Sequence, residues 1–323
     1  MRIALIFAND GSDVRIGKVC RSLSKLHHDV HFIGWDRSPE QKKDIDLRET
    51  HTHMLDHTTR SHRLTIAGRL LHMAFAIRVL RNLRPDAVCA VNEDTAFFLL
   101  PFKGTLYTHL VCDIFDAISD RCTRRGLLIR AAADLITKVV RNSASHLIAT
   151  DSSRFEQFGV HKYKTTVIEN VPEDPGEDLS KIVPSGETKI WVAGSLHRSR
   201  GLEQILQAID NCDAVILVAG WPNDEFARDV FVKHPKVRFL GVLTAQDALR
   251  HAASCDAVFA YYAPISRNNL NASPNKLHDA MSIGRPIILN AEVRIASFIS
   301  EHEIGWTCPY DAVDQLRDII LAL

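Results

Sequence analysis

Short apolar runs alternate with stretches of helical period along the whole chain. IALIF at 3–7, AVCAV at 87–91, AVILVA at 214–219 and AVFAY at 257–261 are rich in branched residues and bounded by polar or turn residues. Runs of that length and continuity suit strands buried on both faces of a parallel sheet. Strands are therefore expected at 3–7, 29–34, 87–91, 106–114, 146–149 and 166–169, with helices at 14–27, 67–83, 95–100 and 127–141. Residues 172–187, PEDPGEDLSKIVPSGE, break the pattern with prolines, glycines and acids and are expected to be a linker. Alternation then restarts, with strands at 189–193, 214–219, 237–240, 257–261 and 286–289 and helices at 201–209, 224–233, 245–253, after Ser273 and at 312–321. The order predicts an α/β chain of two Rossmann-like, doubly wound domains, 1–171 and 188–323, with a cleft where the carboxyl ends of their strands face each other.

Composition agrees with this picture. The 323 residues are 46% hydrophobic and 24% charged, as in ordinary globular proteins. Net charge is zero, yet residues 1–171 carry a surplus of six positive charges and the remainder a surplus of six negative ones. Such asymmetry fits domains that meet different partners, among them an anionic membrane surface or acceptor for the basic half; no nucleic-acid partner is expected. The seven cysteines show no CxxC spacing, and Cys89, Cys112 and Cys255 sit in apolar runs as small buried hydrophobes of a reducing compartment. The segment MRIALIFAND turns polar too soon for a signal peptide, and no apolar run reaches the ~18 residues a spanning helix needs. The expected location is cytoplasmic, at most peripheral to a membrane. Residues 73–84 place Phe75, Ala76, Val79, Leu80 and Leu83 on one helical face and Arg78, Arg81 and Arg84 on the other, a pattern that serves packing on a sheet first and lipid headgroups second.

The most informative stretch is NASPNKLHDAMSIGRP, 271–286. Ser273 is placed to cap a helix with Pro274 at its first position; Leu277, Ala280 and Met281 recur at helical spacing, and Gly284 ends the run. A helix start at the end of a parallel strand offers free N–H groups and a positive dipole end to a phosphate. Asn275, Lys276 and Asp279 add polar groups beside it. A second stretch, WVAGSLHRSRGLEQILQAI, joins a strand to a helix through a small and basic turn, with Gly194 for close approach and Arg198 and Arg200 for charge-assisted bonds to a diphosphate.

Both stretches resemble the retaining nucleotide-sugar glycosyltransferases of family 4, which have the GT-B fold. The first is similar to that family's donor signature of two acids seven residues apart followed by A-M-x-x-G-x-P, with Asn271 and Asp279 at the acidic positions. The second is similar to its strand, G-x-L, K-G, helix segment, with Arg200 before Gly201 and Ser195 where a basic residue often stands; His197 or Arg198 can supply that charge. The resemblance implies that Asp279 holds ribose hydroxyls, that Asn271 meets the donor sugar, and that Gly241 lies near the base. In the first half, Asp13, Arg15 and Ile16 match the start of the first helix, and Gly11 and Ser12 line the acceptor side. LVCDIFDAISD matches the family's acidic strand end through Asp113 and Asp116, an acid that orients the acceptor or steadies positive charge on the sugar ring. Asn92 and Glu93 face the same cleft or cap the helix after them.

The resemblance thus implies transfer of a sugar from a nucleotide-sugar to a hydroxyl of a glycan or lipid-linked saccharide, with retention and without metal. The sixteen histidines show no clear His–carboxylate spacing on one helix, His51-Thr-His53 is expected in a loop, and no metal site is expected. The chain stops at Leu323 after the expected 312–321 helix, so a helix crossing back onto the first domain is not expected. A nucleotide-sugar epimerase of the same fold and a catalytically silent nucleotide-sugar-binding relative remain as alternatives.

Overall fold

A computed structural model describes residues 1–37, 47–58, 65–122, 126–150, 164–174, 177–184 and 186–323. The chain divides into two compact units, Met1–Glu169 and Asn170–Leu323.

The first unit is built on seven parallel strands: β1 (Arg2–Ile6), β2 (Asp29–Asp36), β3 (His51–Asp56), β4 (Ala87–Val91), β5 (His109–Ile114), β6 (His146–Ala149) and β7 (Thr165–Val167), in the order β3-β2-β1-β4-β5-β6-β7. Parallel strands need crossovers, and the helices Val14–Lys25, Ile66–Leu83 and Leu127–Ser143 supply them. Both faces are therefore apolar. Leu80, Val88, Leu99 and Leu110 pack on one face, and Ile16, Cys20 and Phe32 on the other. Asp13 caps the first helix by accepting from Arg15 N–H at 2.9 Å, as the sequence implies.

The second unit holds six parallel strands: β8 (Thr188–Leu196), β9 (Ala214–Pro222), β10 (Val237–Phe239), β11 (Ala257–Ala260), β12 (Ile287–Asn290) and β13 (Gly305–Cys308), in the order β10-β9-β8-β11-β12-β13. Each sheet reverses its strand order once, between β1 and β4 and between β8 and β11. At such a switch point the flanking loops run to opposite faces and leave a crevice at the strands' carboxyl ends.

Several expectations need correction. The His51-Thr-His53 segment is not a loop: it forms β3, paired parallel to β2 with His31 opposite His51. Its polar alternation is that of an edge strand, which the apolar-run criterion overlooks. The helix after Ser273 spans Asn275–Ser282, with Pro274 as its N-cap and no side-chain cap, so Ser273 does not cap it. Residues expected as a regular helix at 224–233 include a π-type turn, Ala227–Phe231. β13 and the short helices Arg267–Leu270 and Ala296–Glu301 escaped sequence reasoning. Within the segment expected as a linker, residues 175, 176 and 185 lie outside the described residues. Leu179 of that segment is buried in the second unit's core, and Glu177 pairs with Arg250 at 2.6 Å.

All seven cysteines are free, and Cys89, Cys112 and Cys255 are buried as expected. No helix among the described residues is long and apolar enough to cross a membrane. The Ile66–Leu83 helix buries Met73, Ala76 and Leu80 against its sheet, which accounts for its apolar stripe by packing.

Candidate functional site

The switch point of the second sheet carries a cavity lined by Ser195 and Leu196 of β8, Arg200, Tyr261 and Tyr262 at the end of β11, and Lys276. Strand β8 runs two residues past Gly194, because β9 continues beside it in register, with Gly194 opposite Gly220. The approach is close: a Cβ on Gly220 would lie 1.9 Å from the Gly194 carbonyl oxygen, and Gly220 has φ +135°. Only glycine fits there. Sequence reasoning missed Gly220, whose requirement exists only once the two strands pair.

Arg200 ends the turn Arg198–Arg200, and its guanidinium lies over the Tyr262 ring at 4.3 Å. That stacking leaves the fork pre-oriented along a ring face. Tyr262 is itself held by Asn290, which is fully buried: Asn290 Oδ1 accepts from Tyr262 N–H at 2.7 Å and Asn290 Nδ2 donates to the Tyr262 carbonyl at 3.0 Å. Neither Tyr262 nor Asn290 was singled out from sequence. The Asn at the end of the PIIL run was the available signal.

Lys276 stands in the first turn of the Asn275–Ser282 helix, with Nζ 3.3 Å from where a Gly194 Cβ would be. Burial first, and the Arg200 guanidinium second, push its pKa down to about 8, while Asp279 works the other way. Two cations pressed together at a helix N-terminus are costly without an anion between them. A cavity lined by two cations beside a helix N-terminus favours a negative group such as phosphate.

Other expected donor-side residues fall differently. Arg198 does not line this cavity. Its Nε is 2.8 Å from Glu203 Oε2, and its guanidinium lies 4.9 Å from the Phe226 ring centre, beside Asp224 and Glu225. His197 turns inward on its own loop, where Nδ1 accepts from Ser199 N–H and Nε2 is 3.5 Å from Asp224. Neither lines the cavity, whereas Lys276 does. Ser195 Oγ accepts from Asn223 Nδ2 at 2.6 Å. Asn271 ends the Arg267–Leu270 helix, half-buried, and Asp279 lies one turn beyond Lys276. Gly241 follows β10, and its carbonyl accepts from Gly220 N–H at 2.8 Å.

In the first unit the expected residues gather at the other switch point, but most serve one another. Asp113 is 2% exposed and takes both Arg15 Nη2 at 3.0 Å and Nε at 3.2 Å; Arg15 Nη1 donates to the Ile168 carbonyl. Asp113 thus ties β5 to the first helix, and burial raises its pKa against the pull of Arg15. Asn92 does not cap the following helix, Glu93–Leu99: its Oδ1 accepts from Phe115 N–H at 2.9 Å and Asp116 N–H at 3.0 Å. Glu93, fully buried, accepts from Ile118 N–H and pairs with Arg141 at 3.3 Å. Asn92 and Glu93 therefore hold the turn that presents half-buried Asp116. Gly11 N–H donates to Asn9 Oδ1 and Ser12 Oγ to Asp10 Oδ1, which shapes the loop after β1.

Residues 187–323 match the family model described as glycosyl transferases group 1. No curated protein matches the chain. Among solved structures it is similar to sucrose-phosphate synthase from Thermosynechococcus elongatus, 12% identical over all of this chain and 89% of that one, with TM-score 0.73. It is similar to WaaG, a glycosyltransferase involved in lipopolysaccharide biosynthesis, at 13% identity over 99% and 90% and TM-score 0.69. It is also similar to Anabaena HepE, solved in complex with UDP and glucose, at 16% identity over 100% and 89% and TM-score 0.66. The chain has the GT-B fold of these proteins, and its residues 187–323 resemble the glycosyl transferases group 1 family.

Proposed function

We propose that the chain is a glycosyltransferase that moves a sugar from a nucleotide-sugar to a hydroxyl of a glycan or lipid-linked saccharide. The observation that carries this reading is the convergence of Arg200 and Lys276 on one cavity at the β8–β11 switch point of a unit that resembles the glycosyl transferases group 1 family. The leaving nucleoside diphosphate gains negative charge as the sugar–phosphate bond breaks. At ~4 Å and an effective dielectric near 20, each fixed cation there interacts by roughly 4 kcal/mol. In this reading the two cations and the helix start neutralise that charge and no metal is required. Asp279 contacts the ribose and Asn271 the sugar. Asp116, presented by Asn92, orients the acceptor or steadies positive charge on the ring. Retention follows, in this reading, from the departing phosphate accepting the acceptor's proton on the face the phosphate leaves. Anabaena HepE, solved with UDP and glucose, makes UDP-sugars the first donors to try.

A thermal-shift and calorimetric panel of UDP, GDP and ADP with their hexoses tests this. One nucleotide is expected to bind, and Arg200→Ala to retain its fold while losing about 10²–10³ in transfer rate. Absence of binding across the panel rejects the proposal. Donor turnover with no acceptor favours an epimerase, and tight binding with no turnover a silent relative.

A further inference from the structure

The amino end of the first sheet carries a second group of ionisable side chains, at the opposite ends of the strands from Asn92 and Asp116. Asp29 and His31 lie two apart on β2, and His51 and His53 two apart on β3, with His31 opposite His51 in the parallel register. Residues two apart share a face of a strand, so the four gather on one side of the β2–β3 edge. Asp29 Oδ1 is 3.0 Å from His31 Nε2 and 3.6 Å from His51 Nε2, while its other oxygen receives Arg2 Nε at 2.7 Å. The His31 and His51 rings stack at 4.7 Å.

Two imidazole nitrogens and one carboxylate oxygen thus lie within 4.8 Å of one another. Zinc holds such atoms at about 2.0–2.2 Å in a tetrahedron, which sets neighbouring ligand atoms about 3.3–3.6 Å apart. The three atoms lie near that spacing, and the stacked His31 and His51 rings turn to aim both nitrogens at one ion. A second observation points the same way. His31 is 8% exposed, and its buried Nε2 faces an Asp29 carboxylate oxygen 3.0 Å away. Its Nδ1 lies 3.0 Å from His53 Nε2. When Nδ1–H donates to His53, the Nε2 lone pair faces Asp29, as in metal-ligating histidines whose second nitrogen is held by a neighbour. A proton or a metal ion between these two atoms accounts for their closeness, and the three-atom cluster with His51 favours the metal.

We infer that Asp29, His31 and His51 bind one divalent transition-metal ion of the zinc type, oriented through His53, with water on the exposed His51 side. The ion clips β3, the edge strand of the sheet, to β2. It stands apart from glycosyl transfer, so its test and that of the transferase reading fail separately.

The full chain, without an affinity tag and stripped by chelator, is titrated with Co²⁺ and Zn²⁺. One equivalent of Co²⁺ is expected to give the visible absorption of tetrahedral coordination. Excess Zn²⁺ is expected to raise the melting temperature by about 5 °C. His51→Ala, at an exposed position, keeps its metal-free melting temperature and loses both effects, whereas His302→Ala, at an exposed site elsewhere, keeps them. The inference is overturned by a missing cobalt band, or by equal binding in His51→Ala. It is equally overturned by a melting temperature that follows pH between about 5 and 8 but ignores metal, which assigns the cluster to protons.

Discussion

Lys276 Nζ lies 3.3 Å from the point where any residue other than glycine at position 194 would place its Cβ. Gly194 has φ +99°, so a side chain there strains the backbone as well as crowding the amine. Gly194→Ala is expected to cost about 1–3 kcal/mol of second-unit stability and to weaken nucleoside diphosphate binding at least tenfold, since the flexible lysine relieves the contact by leaving the cavity. Urea unfolding and calorimetry measure the two. Unchanged affinity would show that Lys276 does not touch the ligand.

The depressed pKa of Lys276 makes ligand binding depend on pH in a stated direction. In the free protein the amine titrates at about 8, below the 10.5 of an unfolded chain. Between those values the unfolded chain binds more protons, so the free protein gains stability as pH rises. A bound diphosphate reverses the preference and draws a proton onto the amine. Affinity should therefore be flat below pH about 7.5 and fall by up to tenfold per pH unit above about 8. Lys276→Met is expected to bind weakly and to flatten this profile. A wild-type profile that stays level to pH 9.5 would remove Lys276 from the site.

Gly220 tests the scaffold beneath the cavity. A methyl group at this position meets the Gly194 carbonyl oxygen at 1.9 Å, a backbone atom that cannot swing aside. Gly220→Ala should destabilise the second unit by at least about 4 kcal/mol, and much of the protein should be insoluble. Soluble protein with wild-type urea midpoint would mean that β8 and β9 do not pair as described.

Asn92 tests the first unit. It sits at φ +65° and holds two backbone N–H groups through one oxygen. Asn92→Ala leaves those donors without an acceptor and should cost about 1–3 kcal/mol. If Asp116 acts on the reacting sugar or acceptor, the same change lowers kcat with little effect on donor affinity, because the turn that carries Asp116 loosens. Asp116→Asn should mimic the kinetic defect without the loss of stability. Full activity in both variants would leave Asp116 outside the chemistry.

Local chemistry determined much of this protein before any coordinates. Runs such as AVCAV and AVILVA can be buried on both faces only in a covered parallel sheet. Strand β4, β6 and the helix Ala245–Ala253 appear with the bounds the pattern predicts. The basic turn ending in Arg200 and the start of the Asn275–Ser282 helix were legible because backbone amides, glycine and cations announce anion chemistry residue by residue. Tertiary structure decided which of the marked side chains share a space. It turned Arg198 onto Glu203 and Phe226, brought Lys276 beside Arg200, and spent Asp113, Asn92 and Glu93 on partners far away in sequence. It also made Gly220 indispensable and gathered Asp29, His31 and His51 across two strands. Each of these depends on strand register and on where a crossover returns the chain. Register is a cooperative outcome of many distant contacts, and no short window of residues contains it.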